Sequence, residues 1–75
     1  MWVVKLSDGK GHVEWFETLS VRTQADNKAD ARHFASKEDA EARADFCMRH
    51  ADSFSGAFFD EGKGRYSLTA TVEPV

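Results

Sequence analysis

The stretch Ala31-Arg-His-Phe-Ala-Ser-Lys-Glu-Asp-Ala-Glu-Ala-Arg-Ala-Asp-Phe-Cys-Met48 contains both a helix start signal and one apolar helix face. Ser36 is a residue type that caps helix N-termini, and Asp39, three residues later, is placed to be its reciprocal partner in a capping box. Small and apolar residues then recur at helical spacing, at Ala40, Ala44, Cys47, Met48 and Ala51. We therefore predict one amphipathic helix from about Lys37 to about Ala51.

The residues before this helix predict a β-hairpin over positions 2–23. Residues 2–7 alternate, with Trp2, Val4 and Leu6 on one face. The turn chemistry of residues 8–11 (Asp-Gly-Lys-Gly) follows. A long second strand is then expected to place four apolar residues on one face, namely Val13, Trp15, Leu19 and Val21. Phe16 and Glu17 interrupt that alternation, which indicates a bulge or an aromatic side chain on the open face.

The residues after the helix predict a second hairpin. Residues 57–60 form a short strand, residues 61–64 (Glu-Gly-Lys-Gly) form the turn, and the last strand alternates cleanly. Its expected buried face consists of Tyr66, Leu68, Ala70 and Val72. Residues 24–34 are predicted to form either a loop with one helical turn or an additional short strand.

These elements predict one α+β domain over residues 1–75. The expected architecture has two layers: an antiparallel sheet of about four strands in the order ββ-α-ββ, and one amphipathic helix packed on one face. A chain of 75 residues buries only about 60% of the surface that its unfolded form exposes, so the core is expected to be thin.

Composition narrows the classes of function. The chain has a net charge of −3, with ten basic residues scattered among thirteen acidic ones, which disfavours direct nucleic-acid binding. A single cysteine excludes an intramolecular disulfide and fits a reducing compartment. The N-terminus has no basic segment followed by a long apolar run, and no apolar stretch reaches about 18 residues. A cytoplasmic protein without a membrane segment is therefore expected.

No pattern in the sequence predicts catalysis or metal binding. Cys47 and His50 are three residues apart on the helix, but zinc sites need three or four ligands, and Cys47 falls on the predicted core face. The glycine turns lack the spacing of phosphate-binding loops and do not begin a helix. We expect no enzymatic activity, no metal and no cofactor.

One aromatic residue of the helix does not fit the core pattern. Phe46 lies about 150° from the centre of the core face, among Asp39, Arg43 and His50. It is either covered by residues 24–30, or a single exposed apolar side chain, or an anchor for a protein partner. A strip of acidic residues, including Glu38, Glu41 and Asp45, runs along another side of the helix. That strip is either a solvated face or a surface that docks on a basic protein groove.

The segment Ala31-Arg-His-Phe-Ala-Ser-Lys-Glu-Asp-Ala40, preceded by a hairpin that begins Trp2-Val-Val-Lys-Leu6, resembles small accessory proteins of bacteriophages and mobile elements. Such proteins often have an A-x-x-F-x-S-x-x-x-A pattern before one amphipathic helix. The resemblance covers about two thirds of the chain and brings no catalytic residues with it. It implies a protein that binds and blocks a host protein in the bacterial cytoplasm, as anti-CRISPR proteins do.

The leading hypothesis is therefore a non-enzymatic protein-binding module, an inhibitor of a host machine such as a CRISPR effector complex. A small homodimeric structural or regulatory module, joined through a sheet edge or exposed aromatics, is the alternative. A nucleic-acid-associated domain is a weaker third hypothesis. The partner-binding residues expected from the sequence are Phe46, Arg43, Asp39, His50, Glu38, Glu41 and Asp45.

Overall fold

Helix α1 spans Lys37–Arg49 in the computed structural model, which describes residues 1–75. The Ser36 hydroxyl accepts a hydrogen bond from the Asp39 N–H at 3.1 Å, so the predicted cap is confirmed, although only this half of the capping box forms. The predicted end at Ala51 is too late, because a separate 3₁₀ turn begins there. Met48 also departs from the prediction: its side chain is 42% exposed, since the buried face of the helix narrows to three small residues, Ala40, Ala44 and Cys47.

The main sheet has three antiparallel strands: β1 (Trp2–Ser7), β2 (Val13–Trp15) and β5 (Thr69–Pro74). The central strand is β1, which pairs with β2 on one side and with β5 over its whole length on the other. Helix α1 packs across β1 and β5. The two ends of the chain are thus joined in one sheet, below the helix.

Strands β3 (Phe59–Asp60) and β4 (Arg65–Tyr66) form a separate two-stranded sheet. The α+β class with one helix and antiparallel pairing agrees with the prediction. The single sheet of about four strands and the order ββ-α-ββ are not found, because the last predicted strand is interrupted at Ser67. The Ser67 N–H donates to the Phe58 carbonyl at 2.7 Å, and the following residues then leave the hairpin to pair with β1.

The prediction for the second strand is wrong in both length and face. Strand β2 has three residues, and its buried side chain is Glu14, whereas Val13 and Trp15 are half-buried. The next residue, Phe16, is buried and donates its N–H to the Val4 carbonyl at 2.9 Å. Pairing with β1 therefore directs the even-numbered side chains inward, opposite to the face that hydropathy favoured.

Residues 17–24 form a loop organised by the Gln24 side chain rather than a continuation of β2. The Gln24 Oε1 accepts from the N–H groups of Glu17 and Thr18, at 2.8 and 3.0 Å. Its Nε2 donates to the Val21 carbonyl at 2.6 Å. Because one buried amide satisfies these backbone groups, the loop needs no strand partner, and Leu19 and Val21 are left 52% and 44% exposed.

Residues 24–34 contain one 3₁₀ turn and isolated β-bridges to the main sheet. Lys28–Asp30 form a 3₁₀ turn, as one alternative predicted. Phe34 then makes an isolated antiparallel bridge with Trp2, so the chain returns to the sheet edge just before α1.

The core lies between the sheet and α1 and contains nine buried residues, namely Val4, Leu6, Phe16, Ala40, Ala44, Cys47, Phe54, Phe58 and Ala70. The small residues of α1 allow the helix to approach the large aromatics closely. Tyr66, Leu68 and Val72 pack against this core half-buried, so the predicted apolar face of the last strand is on the correct side. Neither α1 nor any shorter helical turn has the length and apolar character needed to span a bilayer.

Candidate functional site

An open groove runs along α1 beside the segment that precedes it, with a volume of about 500 Å³. One wall is a face of the helix, because positions 39, 42, 43, 46 and 49 are spaced three or four residues apart. The other wall is the segment 32–35. The lining residues are Arg32, His33, Phe34, Ala35, Asp39, Ala42, Arg43, Phe46 and Arg49.

The non-helical wall of the groove is fixed to the sheet by backbone hydrogen bonds. The Phe34 N–H donates to the Trp2 carbonyl at 2.8 Å and its carbonyl accepts from the Trp2 N–H at 2.9 Å. The Arg32 N–H donates to the Phe16 carbonyl at 2.8 Å. The Phe34 ring also packs against the core. One wall of the groove is therefore helix α1, and the other is attached to the sheet by backbone hydrogen bonds.

Arg43 lies between two aromatic rings in this groove. Its guanidinium carbon is 5.4 Å from the centre of the Phe16 ring and 5.1 Å from that of Phe46. These distances are within the range of cation–π attraction. Asp39, four residues before Arg43 on the helix, does not form an ion pair with it. Arg43 has no other ion pair either.

Phe46 is half-buried, and its neighbours are polar. Its ring centre is 4.3 Å from that of His50, with Arg43 on the other side. Phe46 belongs neither to the core cluster nor to the half-buried residues packed against it. Residues 32–35 form the wall of the groove opposite Phe46, and none of residues 24–30 lines it.

The other expected partner-binding residues fall into two groups. Asp39 lines the groove with Phe46 and Arg43, and His50 lies at its end, against the Phe46 ring. Glu38, Glu41 and Asp45 are exposed and outside the groove. Asp45 forms an ion pair with Arg49, four residues later on the helix, with its Oδ2 at 3.0 Å from the Arg49 Nε.

Apart from Ala35 and Ala42, sequence reasoning missed four lining residues: Arg32, His33, Phe34 and Arg49. Arg49 continues the spacing of Arg43 and Phe46 along the helix, so the periodicity alone could have found it. The other three come from the preceding segment, whose position depends on the bridge between Phe34 and Trp2. A contact between residues so far apart in sequence leaves no local pattern.

Cys47 lies on the core-facing side of α1 and is fully buried. Burial raises the pKa of its thiol from the ordinary value of 9.0 to about 11, and the nearby charge of Arg43 only partly opposes this. The thiol is therefore protonated at neutral pH and is a poor nucleophile and metal ligand. His50, its suggested companion, is exposed, and no three His, Cys, Asp or Glu residues are close enough to hold a metal ion.

The two glycine-rich turns are in contact with each other through an ion pair. The Lys10 Nζ of the first turn is 3.1 Å from Oδ2 of Asp60, which begins the second. This hydrogen bond, together with bonds from the Lys63 and Gly62 N–H groups, holds the pKa of Asp60 below its usual range despite its desolvation. In the first turn, the N–H groups of Lys10 and His12 both donate to Oδ1 of Asp8, whose pKa is also lowered. Asp8 and Asp60 therefore stabilise the two turns by accepting hydrogen bonds from backbone N–H groups.

The fold and groove together define a small α+β domain with an arginine-lined, partly aromatic groove. Comparison of the chain with protein-family models, curated proteins and solved structures found no match.

Proposed function

We propose that this chain is a non-enzymatic protein-binding module whose contact surface is the groove around Phe46 and Arg43. The supporting observation is that Phe46 is half-buried without packing on the core, beside an arginine that has no ion-pair partner. Aromatic and arginine residues are the types that dominate the binding energy of protein interfaces. Burying them under a partner would remove apolar surface from water and give the guanidinium an acceptor.

We further propose that the partner of this chain is a host protein machine. Binding would inhibit that machine, as anti-CRISPR proteins inhibit CRISPR effector complexes. Its support is the sequence resemblance to phage and mobile-element accessory proteins. In this role the groove, the acidic strip (Glu38, Glu41 and Asp45), or both would dock on the target.

Affinity capture from bacterial lysate tests the binding role. Wild-type chain, Phe46→Ala and Phe59→Ala are immobilised at equal density, and bound proteins are quantified by mass spectrometry. Phe59 is the matched control, because it is an aromatic that is 42% exposed on the separate hairpin. A protein retained by wild type and Phe59→Ala but lost with Phe46→Ala, and confirmed with purified components, supports the proposal. Equal capture by all three chains contradicts it.

The inhibitor role has its own test. The chain is expressed in bacteria with an active CRISPR system, and plaques of a targeted phage are counted. We expect plaquing to rise with wild type and to stay at the uninhibited level with Phe46→Ala. Unchanged plaquing across the main CRISPR types would reject the anti-CRISPR form while leaving the binding module to be judged by the capture experiment.

The homodimer alternative is supported by one observation at the sheet edge. Strand β5 is an outer strand, and Val75 N–H donates to the Met1 carbonyl, so the odd-numbered residues of β5 bond with β1. The N–H and C=O groups of Ala70 and Val72 therefore face away from β1, open to pairing with a second β5. Light scattering after size-exclusion chromatography separates the cases: 8.4 kDa fits the free monomer that the leading proposal expects, and twice that mass fits the dimer.

A further inference from the structure

The groove concentrates positive charge in a chain whose net charge is −3. Three arginines line it, against one carboxylate, Asp39. Arg49 is neutralised by its ion pair with Asp45, whereas Arg32 and Arg43 have none. Two unpaired guanidinium groups therefore face the same open volume.

The environment of Arg43 suits a carboxylate ligand. Its guanidinium already contacts the rings of Phe16 and Phe46, and such packing lowers the conformational entropy that a side chain loses when a ligand binds. A guanidinium is a planar fork of N–H donors that matches the two oxygens of a carboxylate. Arg32 lies above the Phe34 ring, with its guanidinium carbon 6.0 Å from the ring centre, and adds a second positive charge to the opposite wall.

We propose that the groove binds a short acidic segment of a protein partner. A carboxylate of that segment is held by Arg43 with the support of Arg32, and a neighbouring apolar side chain packs on Phe34 and Phe46. This assignment rests on the proposed function and adds the chemistry of the partner. A volume of about 500 Å³ accommodates a few side chains, which is the size of a short peptide segment.

The surroundings of the groove favour a peptide over a nucleic acid. Glu38, Glu41 and Asp45 are exposed on the neighbouring face of the same helix. A phosphate backbone extending beyond the groove would meet this acidic face and be repelled. A short peptide segment that carries a carboxylate would end before it reaches this acidic face. Four of the lining residues are hydrophobic, which also suits amino-acid side chains.

The test uses four probes and the full-length chain labelled with ¹⁵N. The probes are the peptide Gly-Asp-Glu-Phe-Asp-Glu-Gly, the same peptide with Asn and Gln in place of Asp and Glu, an octamer of thymidylate, and inorganic phosphate. Binding is measured by fluorescence anisotropy for the labelled peptides and oligonucleotide, and by the shift of the Arg43 Nε–Hε resonance for all four. We expect the acidic peptide to shift this resonance and to bind about tenfold or more tightly than the amide peptide.

Charge-removing variants locate the site. Arg43→Gln should weaken acidic-peptide binding about tenfold, whereas Arg65→Gln, an exposed arginine on β4, should change it less than about twofold. Tighter binding of the oligonucleotide or of phosphate would reassign the groove to phosphate groups. Equal binding of the amide peptide, or an Arg43→Gln variant that binds like wild type, overturns the proposal. If Phe46→Ala loses a captured partner while Arg43→Gln keeps it, the binding module stands and the acidic-segment assignment falls.

Discussion

Glu14 is the most deeply buried carboxylate in the chain, with 1% of its surface exposed. Its Oε1 accepts from the buried Gln24 N–H at 2.8 Å, and its Oε2 lies 2.6 Å from the His12 Nε2. One side chain thus joins β2 to the loop that Gln24 organises. The sequence pattern placed Glu14 on the solvent-exposed face of β2. Hydropathy alone contains no information on the hydrogen bonds that can offset the cost of burying a charge.

Removal of the Glu14 carboxylate should destabilise the fold. Glu14→Ala leaves the Gln24 N–H buried without an acceptor, so we expect a loss of about 1–3 kcal/mol in the free energy of unfolding. Glu14→Gln keeps an acceptor oxygen and should cost less. Urea unfolding measures both, with the exposed Glu17→Ala as control, expected within about 0.5 kcal/mol of wild type. A Glu14→Ala variant as stable as Glu17→Ala would show that these bonds contribute nothing.

The start of helix α1 was predictable from the sequence, whereas the lengths and pairing of the strands were predictable only in part. The start of α1 depends on Ser36 and on residues within one turn of it, so the signal is local. The extent of β2 depends on Gln24, and the partner of β5 is β1, at the other end of the chain. Such distant pairings are not encoded in the alternation of a single strand.

The cap of α1 gives a second prediction. Ser36→Ala removes the acceptor of the Asp39 N–H and should cost about 1 kcal/mol of stability. Ser53→Ala is the matched control, because Ser53 is exposed in the turn that follows the helix and its hydroxyl caps nothing. Equal losses in thermal or urea unfolding would mean that the hydroxyl of Ser36 does not support the helix.

The contact between the two glycine turns predicts a dependence on pH. The Lys10 ammonium is the largest cause of the lowered pKa of Asp60. Because the folded pKa is lowered, the ionised Asp60 stabilises the fold above about pH 3.8, and this stability is lost as the pH falls through the folded value. In Lys10→Gln the pKa of Asp60 should rise toward 3.8.

Carboxyl ¹³C shifts followed by NMR during an acid titration measure this pKa directly. Lys63→Gln serves as the control, because Lys63 is an exposed lysine of the same turn that contacts Asp60 only through its backbone N–H. An Asp60 pKa that is the same in wild type and Lys10→Gln would show that the two turns are not coupled electrostatically.

Aromatic residues occupy two kinds of environment in this fold. Phe16, Phe54 and Phe58 fill the core between the sheet and α1, whereas Phe46 lies in the groove beside Arg43. The helical spacing was enough to place Phe46 away from the core and near Asp39 and Arg43. The second wall of the groove was not predictable, because it exists only once Phe34 has paired with Trp2.

The comparison of Phe46→Ala with Phe58→Ala tests this separation most directly, by thermal unfolding and by calorimetric binding to the captured protein partner. Phe58 is 1% exposed in the core, so its truncation should cost about 3–5 kcal/mol of stability. We predict that Phe46→Ala melts within a few degrees of wild type, as a surface substitution should, and binds the partner more weakly by about 2 kcal/mol. A Phe46→Ala variant that melts as early as Phe58→Ala, or that binds the partner like wild type, would contradict the assignment of the groove as the binding surface.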